Sequence, residues 1–221
     1  MKNAVNKSIR IILPIVLFFL FSYASAQQKQ DEPKDAKFYI DRGIAYGEKG
    51  QFDRAIADFT KALGIDPKGA GAYYYRGIAY ANKNQHDQAI SDYNKALEIG
   101  PKDAGAYYYR GIAYAEKGQF DQAIDDFTMA LEIGSKGAGA YYYRGISYVN
   151  KGQFDWAIAD FNKALEIDPK SAGFYYNRGI AYYFKKEYDK SWKDIRRAED
   201  LGYKIPFKFL ENLRNASKRQ N

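Results

Sequence analysis

The chain has 221 residues, 46% of them hydrophobic and 17% aromatic, enough to fill one sizeable packed domain and to exclude disorder throughout. It contains no cysteine, which excludes a disulfide framework and a lipid-modified cysteine. The formal charge of +7 comes from 34 basic and 27 acidic side chains and falls to +4 without the first 26 residues, too mild an excess to point to nucleic acid.

Residues 1–26 read as a secretory signal. Lys2, Lys7 and Arg10 form a basic head, Ile11 to Phe21 is apolar, and Ala24-Ser25-Ala26 fits a small-x-small cleavage site. An uncleaved anchor is the alternative, but the apolar run is about half of the ~20 residues that a spanning helix needs. Cleavage before Gln27 leaves 31 basic against 27 acidic residues, a formal charge of +4. The expectation is an exported protein, periplasmic or secreted, without a transmembrane span after cleavage. Residues 27–35 are polar, lack periodicity and read as a flexible leader.

From Ala36 the sequence repeats. AGAYYYRGIAYANK at Ala70 returns as AGAYYYRGIAYAEK at Ala104, AGAYYYRGISYVNK at Ala138 and AGFYYNRGIAYYFK at Ala172, and AKFYIDRGIAYGEK at Ala36 is a more divergent copy. The spacing is 34 residues, which gives five units at 36–69, 70–103, 104–137, 138–171 and 172–205. Within the third unit Tyr107, Gly111 and Tyr114 mark one helical face, and Ala123, Phe127 and Ala130 mark another after a break. Gly118 suits the left-handed residue that closes the first helix, and Asp121 places negative charge in the first turn of the second. Each unit is therefore predicted to be a helix-turn-helix hairpin, packed most closely at its glycine and first alanine. Pro206 is placed to open a short helix through Phe207, Leu210 and Leu213, so 206–221 reads as a capping helix and tail.

These residues resemble the tetratricopeptide repeat, whose pattern is an aromatic, then Gly, Tyr, Ala, Phe, Ala and Pro within 34 residues. In the first unit it falls on Tyr39, Gly43, Tyr46, Ala55, Phe59, Ala62 and Pro67; in the fourth on Tyr141, Gly145, Tyr148, Ala157, Phe161, Ala164 and Pro169. Ser135 stands where the third unit should have proline, and Ser191 and Ile195 replace alanine and an aromatic in the fifth. The resemblance implies an all-α, right-handed superhelical solenoid whose concave groove binds extended peptides or partner helices.

Little in the sequence supports catalysis. The one histidine, His86, occupies the place of Phe52, Phe120, Phe154 and Tyr188, so it replaces a packing aromatic. Asp53, Asp87, Asp121, Asp155 and Asp189 recur where each second helix opens, which the helix dipole explains. The glycine-rich stretch from Lys136 to Ala140 follows no strand and does not read as a phosphate loop. No enzyme activity, cofactor or metal is expected.

Two charged positions depart from the family's apolar choices in every unit. Arg42, Arg76, Arg110, Arg144 and Arg178 precede the first-helix glycine, and Asp58, Asp92, Asp126, Asp160 and Asp194 precede the second-helix aromatic or its equivalent. An internal ladder of ion pairs is the preferred reading; a basic ligand surface is the alternative.

The resemblance also places the groove, one residue on from the packing set. Its candidates are Tyr74, Ile78, Tyr108, Ile112, Tyr142, Ile146, Tyr176 and Ile180, widening to Tyr183 and Phe184. That stripe is expected to be apolar and open, and to bind a peptide segment or partner protein; packing between units is the competing explanation. Chaperone-tail clamps of this family use Lys, Arg or Asn there, and those are missing. A glycan stacked on the tyrosines is the second partner class, with Glu48, Asn82, Glu116 and Asn150 as polar helpers. Trp156 replaces polar residues at a solvent-facing place and is a secondary contact candidate, whereas Trp192 replaces isoleucines and is read as core.

Overall fold

The computed structural model describes residues 35–135 and 137–218. Residues 1–34, with the proposed signal and most of the leader, lie outside them, as do Lys136 and residues 219–221. Among the described residues every regular element is a helix: α1 (Ala36–Glu48), α2 (Phe52–Ile65), α3 (Ala70–Asn82), α4 (His86–Ile99), α5 (Ala104–Glu116), α6 (Phe120–Ile133), α7 (Ala138–Asn150), α8 (Phe154–Ile167), α9 (Ala172–Phe184), α10 (Tyr188–Asp200) and α11 (Phe207–Lys218). None of these helices is long and apolar enough to cross a membrane.

The helices pair in sequence order, α1 with α2 through α9 with α10, and each second helix packs on the first helix of the next hairpin. This is an all-α solenoid, in which each unit buries its faces against its neighbours. The tight point inside a hairpin is set by glycine. A Cβ on Gly145 would lie 2.7 Å from the Phe161 ring, which is fully buried, so only glycine admits the ring there. In the last hairpin Ile195 fills the equivalent space beside Gly179. Ser191 is buried there with its hydroxyl satisfied, donating to the Gly179 carbonyl at 2.8 Å.

The turns follow one pattern. Gly50, Gly118 and Gly152 take positive φ, as do Asn84 and Lys186 in their places, and the next residue donates its N–H to a tyrosine carbonyl five residues back. Ser135 changes how α6 ends. Proline at 67, 101 and 169 has no N–H, whereas Ser135 donates its own to the Ala130 carbonyl at 2.9 Å while Gly134 turns to φ +116°.

One core position carries an unpaired polar group. Tyr93 stands where Phe59, Phe127 and Phe161 stand in other hairpins; it is fully buried, and its hydroxyl has no hydrogen-bond partner. Tyr93→Phe is expected to stabilise the protein by about 1 kcal/mol, because the unpaired group is removed and the ring is kept. Urea unfolding monitored by circular dichroism checks this, and a loss of stability would show that the hydroxyl is satisfied.

Candidate functional site

Each hairpin is tied internally by one arginine, which in the last four also reaches the preceding hairpin. Arg110 donates through Nε and Nη2 to both carboxylate oxygens of Asp126, at 2.8 and 2.6 Å. Arg42, Arg76, Arg144 and Arg178 hold Asp58, Asp92, Asp160 and Asp194 in the same bidentate way. The guanidinium also lies over flanking rings, Arg110 over Tyr107 at 5.3 Å and Tyr114 at 5.9 Å. Burial pushes the Asp126 carboxyl above its ordinary value even beside Arg110, so desolvation outweighs the attraction at this carboxyl. The aspartates are buried, and the arginines are mostly covered except Arg42.

A second ladder runs outside. Lys83, Lys117, Lys151 and Lys185 pair with Asp53, Asp87, Asp121 and Asp155 of the preceding hairpin. The aspartates that open each second helix thus serve the seam as well as the dipole. The sequence reading missed this link because it depends on how neighbouring units are aligned.

The tyrosine stripe is less open than the sequence suggested. Tyr74, Tyr108, Tyr142 and Tyr176 are each half-buried. The Tyr108 ring sits 6.0 Å from Phe127 of its own hairpin and 6.0 Å from Tyr143 of the next, with its hydroxyl against Gly139. Tyr142 meets Phe174 at 4.7 Å, and its hydroxyl accepts from Asn177 at 3.1 Å. Ile78 and Ile146 are likewise half-buried against core clusters, and Ile112 and Ile180 share their degree of burial. These side chains fill the seams and show only their outer edges.

At the C-terminal end the candidates are covered by the cap. Tyr176 stacks on Tyr203 at 4.6 Å and meets Phe209 of α11 at 5.9 Å; Tyr183 meets Phe209 at 5.4 Å. Leu213 of α11 is fully buried. Phe184 stays open, 53% exposed, with its ring stacked on Phe154. Trp156 is 65% exposed, and Trp192 is half-buried with its indole N–H directed at the Ser217 hydroxyl. His86 is half-buried with Nδ1 unpartnered, and no cluster of three metal-ligating side chains occurs among the described residues.

The surface that the stripe does present includes residues passed over in the sequence. Tyr75 and Tyr109, the third tyrosines of their triplets, are each 36% exposed. With their neighbours they form a continuous ladder of rings, Tyr75, Tyr74, Tyr109, Tyr108, Tyr143, Tyr142 and Phe174, each 4.7 to 5.9 or 6.0 Å from the next. The signal was the unbroken YYY run itself, whose first member was assigned to the packing face and whose middle member to the groove, leaving the third unassigned. Asn82 and Asn150 each donate back to a carbonyl of their own helix, at 2.9 Å, which reduces what they offer to a sugar.

Burial favours the protonated form of the Tyr74, Tyr108 and Tyr142 hydroxyls. The Tyr108 phenol is pushed up to about 12 by desolvation, and Tyr74 and Tyr142 move the same way for the same reason. A phenol with a raised folded-state pKa binds more protons folded than unfolded between the two values. Stability should therefore hold up to the ordinary value of 10.0 and fall as pH rises from there toward 12. Tyrosinate absorbance recorded beside circular dichroism checks this; ionisation of Tyr74, Tyr108 and Tyr142 below pH 11 together with the exposed tyrosines, in the folded protein, would contradict it.

Two profiles described as tetratricopeptide repeat match residues 40–104 and 104–135, and one described as TPR repeat matches 147–185. No curated protein matches the chain. Among solved structures, that of YrrB, described as a TPR protein with an unusual peptide-binding site, is 27% identical; it aligns over 80% of this chain and 91% of its own with a TM-score of 0.69. A MamA structure is 30% identical over 72% of this chain and 93% of its own, with a TM-score of 0.68. MamA from Desulfovibrio magneticus RS-1, at 21% identity, shares the fold over 77% of this chain and 96% of its own, with a TM-score of 0.72. With its stacked helical hairpins and its glycine and aromatic packing set, the chain belongs to the tetratricopeptide repeat family.

Proposed function

We propose that this protein is an exported, non-catalytic scaffold that holds a peptide segment or partner protein in its concave groove. The observation that carries the reading is the ladder of seven rings, which runs unbroken across four hairpins and leaves Tyr75 and Tyr109 open at its edge. Such a surface offers large apolar contact at low entropic cost, with hydroxyls for backbone groups of an extended ligand. The peptide-binding site described for YrrB, a relative of the same family, supports the same use of the fold. Interaction through a preformed surface suits a chain in which charges are spent on internal pairing. Trp156 supplies a second contact on the outer helices, and export rests on the basic head, apolar run and cleavage site of residues 1–26.

The test is chemical crosslinking in the native cell envelope followed by mass spectrometry. Recovery of one protein species, crosslinked through a contiguous segment, is expected. Recovery of glycan alone would move the function to the polymer-binding class.

A further inference from the structure

The seams between hairpins repeat one set of contacts, and the first hairpin carries half of that set without the other half. At each downstream seam the arginine gives its remaining donor, Nη1, to a short polar side chain of the preceding second helix: Arg76 to Thr60, Arg110 to Asn94, Arg144 to Thr128 and Arg178 to Asn162, at 2.6 to 3.0 Å. The seam lysines pair with the aspartate that opens that same helix. Thus one helix supplies both partners, an aspartate and, seven residues later, Thr or Asn. That spacing is two helical turns, so both lie on one face.

Arg42 and Lys49 hold these places in the first hairpin. Arg42 is bidentate to Asp58, but its Nη1 has no partner among the described residues, and its side chain is 40% exposed against 17 to 19% for its four counterparts. Lys49 has no ion pair there either. Phe38, 40% exposed, stands where Ala72, Ala106 and Ala140 are buried at the seams. The edge is therefore cationic, apolar and complementary to a known kind of helix.

We propose that this N-terminal edge docks an amphipathic helix of a partner protein that carries an acidic residue near its start and Thr or Asn seven residues on. Charge complementarity sets the acidic residue against Lys49 and the short polar one against Arg42, with Phe38 as the apolar contact. A second copy of this chain does not offer that helix. Its α2, α4, α6 and α8 are already used by the hairpins that follow them, and α10 places Arg196 where the acceptor belongs and packs on α11. One part of the seam is not copied: Asp41, held by Lys37 at 2.7 Å, replaces the tyrosine that stacks on the preceding ring in Phe59–Tyr75 and Phe127–Tyr143. This surface is independent of the groove and does not rest on its reading.

The probe is a fluorescent peptide of residues 120–133, the helix that covers Arg144 and Lys151, stapled through exposed positions 122 and 129 and titrated into the full chain. Saturable binding is expected. Lys49→Glu should weaken it about tenfold or more, and a peptide with lysine in place of Asp121 should recover that loss on the Lys49→Glu chain. No saturable binding overturns the proposal, as does binding unchanged by both Lys49→Glu and Phe38→Ala. Photocrosslinks from position 38 to residues 1–34 of the same chain overturn it as well, since the edge is then occupied from within.

Discussion

Arg110→Leu is expected to cost about 3 to 5 kcal/mol of stability, one of the largest effects of any single change in the protein. The substitution leaves Asp126, 5% exposed at its side chain, charged and without its bidentate partner. It also strips Asn94 of the Nη1 donor and two tyrosine rings of the cation between them. Replacing Arg110 and Asp126 together by leucine should cost much less, because the stranded charge is gone and burial already works against the Asp126 carboxylate. Urea unfolding of the two single variants and the double variant gives the coupling directly. Equal losses in the single and double variants would mean that the pair is no pair energetically.

Tyr108→Ala combined with Tyr142→Ala is expected to lower stability by about 3 to 5 kcal/mol, roughly half of what two fully buried aromatic truncations would cost. Each ring bridges its own hairpin and the next, so the double variant opens two adjacent seams. The phenylalanine versions separate ring from hydroxyl. Tyr108→Phe should be close to neutral, and Tyr142→Phe should lose little, because Asn177 keeps its second acceptor, the Gly173 carbonyl, at 2.9 Å. Thermal melts of the three variants decide this. An alanine double variant as stable as the parent would mean that the rings are free groove residues with no part in packing.

The fold was legible because the same constraint is written several times. A glycine facing an aromatic ring at a separation of 16 residues recurs in four hairpins, and the ring lies within 2.9 Å of the missing Cβ each time. Arg110 and Asp126 share that separation, so their meeting could be read from the same hairpin geometry. What lay between hairpins was harder to read. A residue one step around from the packing face turns toward solvent on a lone helix, but in a stack it meets the next hairpin, which is why Tyr108 is half-buried. The lysine–aspartate pairs span 30 residues and require the stacking register, which no single hairpin contains. The cover over Tyr176 and Tyr183 comes from Tyr203, which stands at the proline place of the fifth unit, and from Phe209, which lies beyond the last unit, so neither carries a periodic signal.

The ring ladder is the centre of the functional account, and its open members test it at a smaller packing cost than the half-buried ones. With the crosslinked partner in hand, calorimetric titration should compare the parent chain, the Tyr75→Ser and Tyr109→Ser double variant, and Gln122→Ala on an exposed second-helix face. The ladder variant is predicted to lose about 2 kcal/mol of binding free energy, roughly thirtyfold in affinity, while Gln122→Ala stays within about twofold of the parent. Unchanged affinity in a folded ladder variant would contradict the account and place the partner elsewhere on the solenoid.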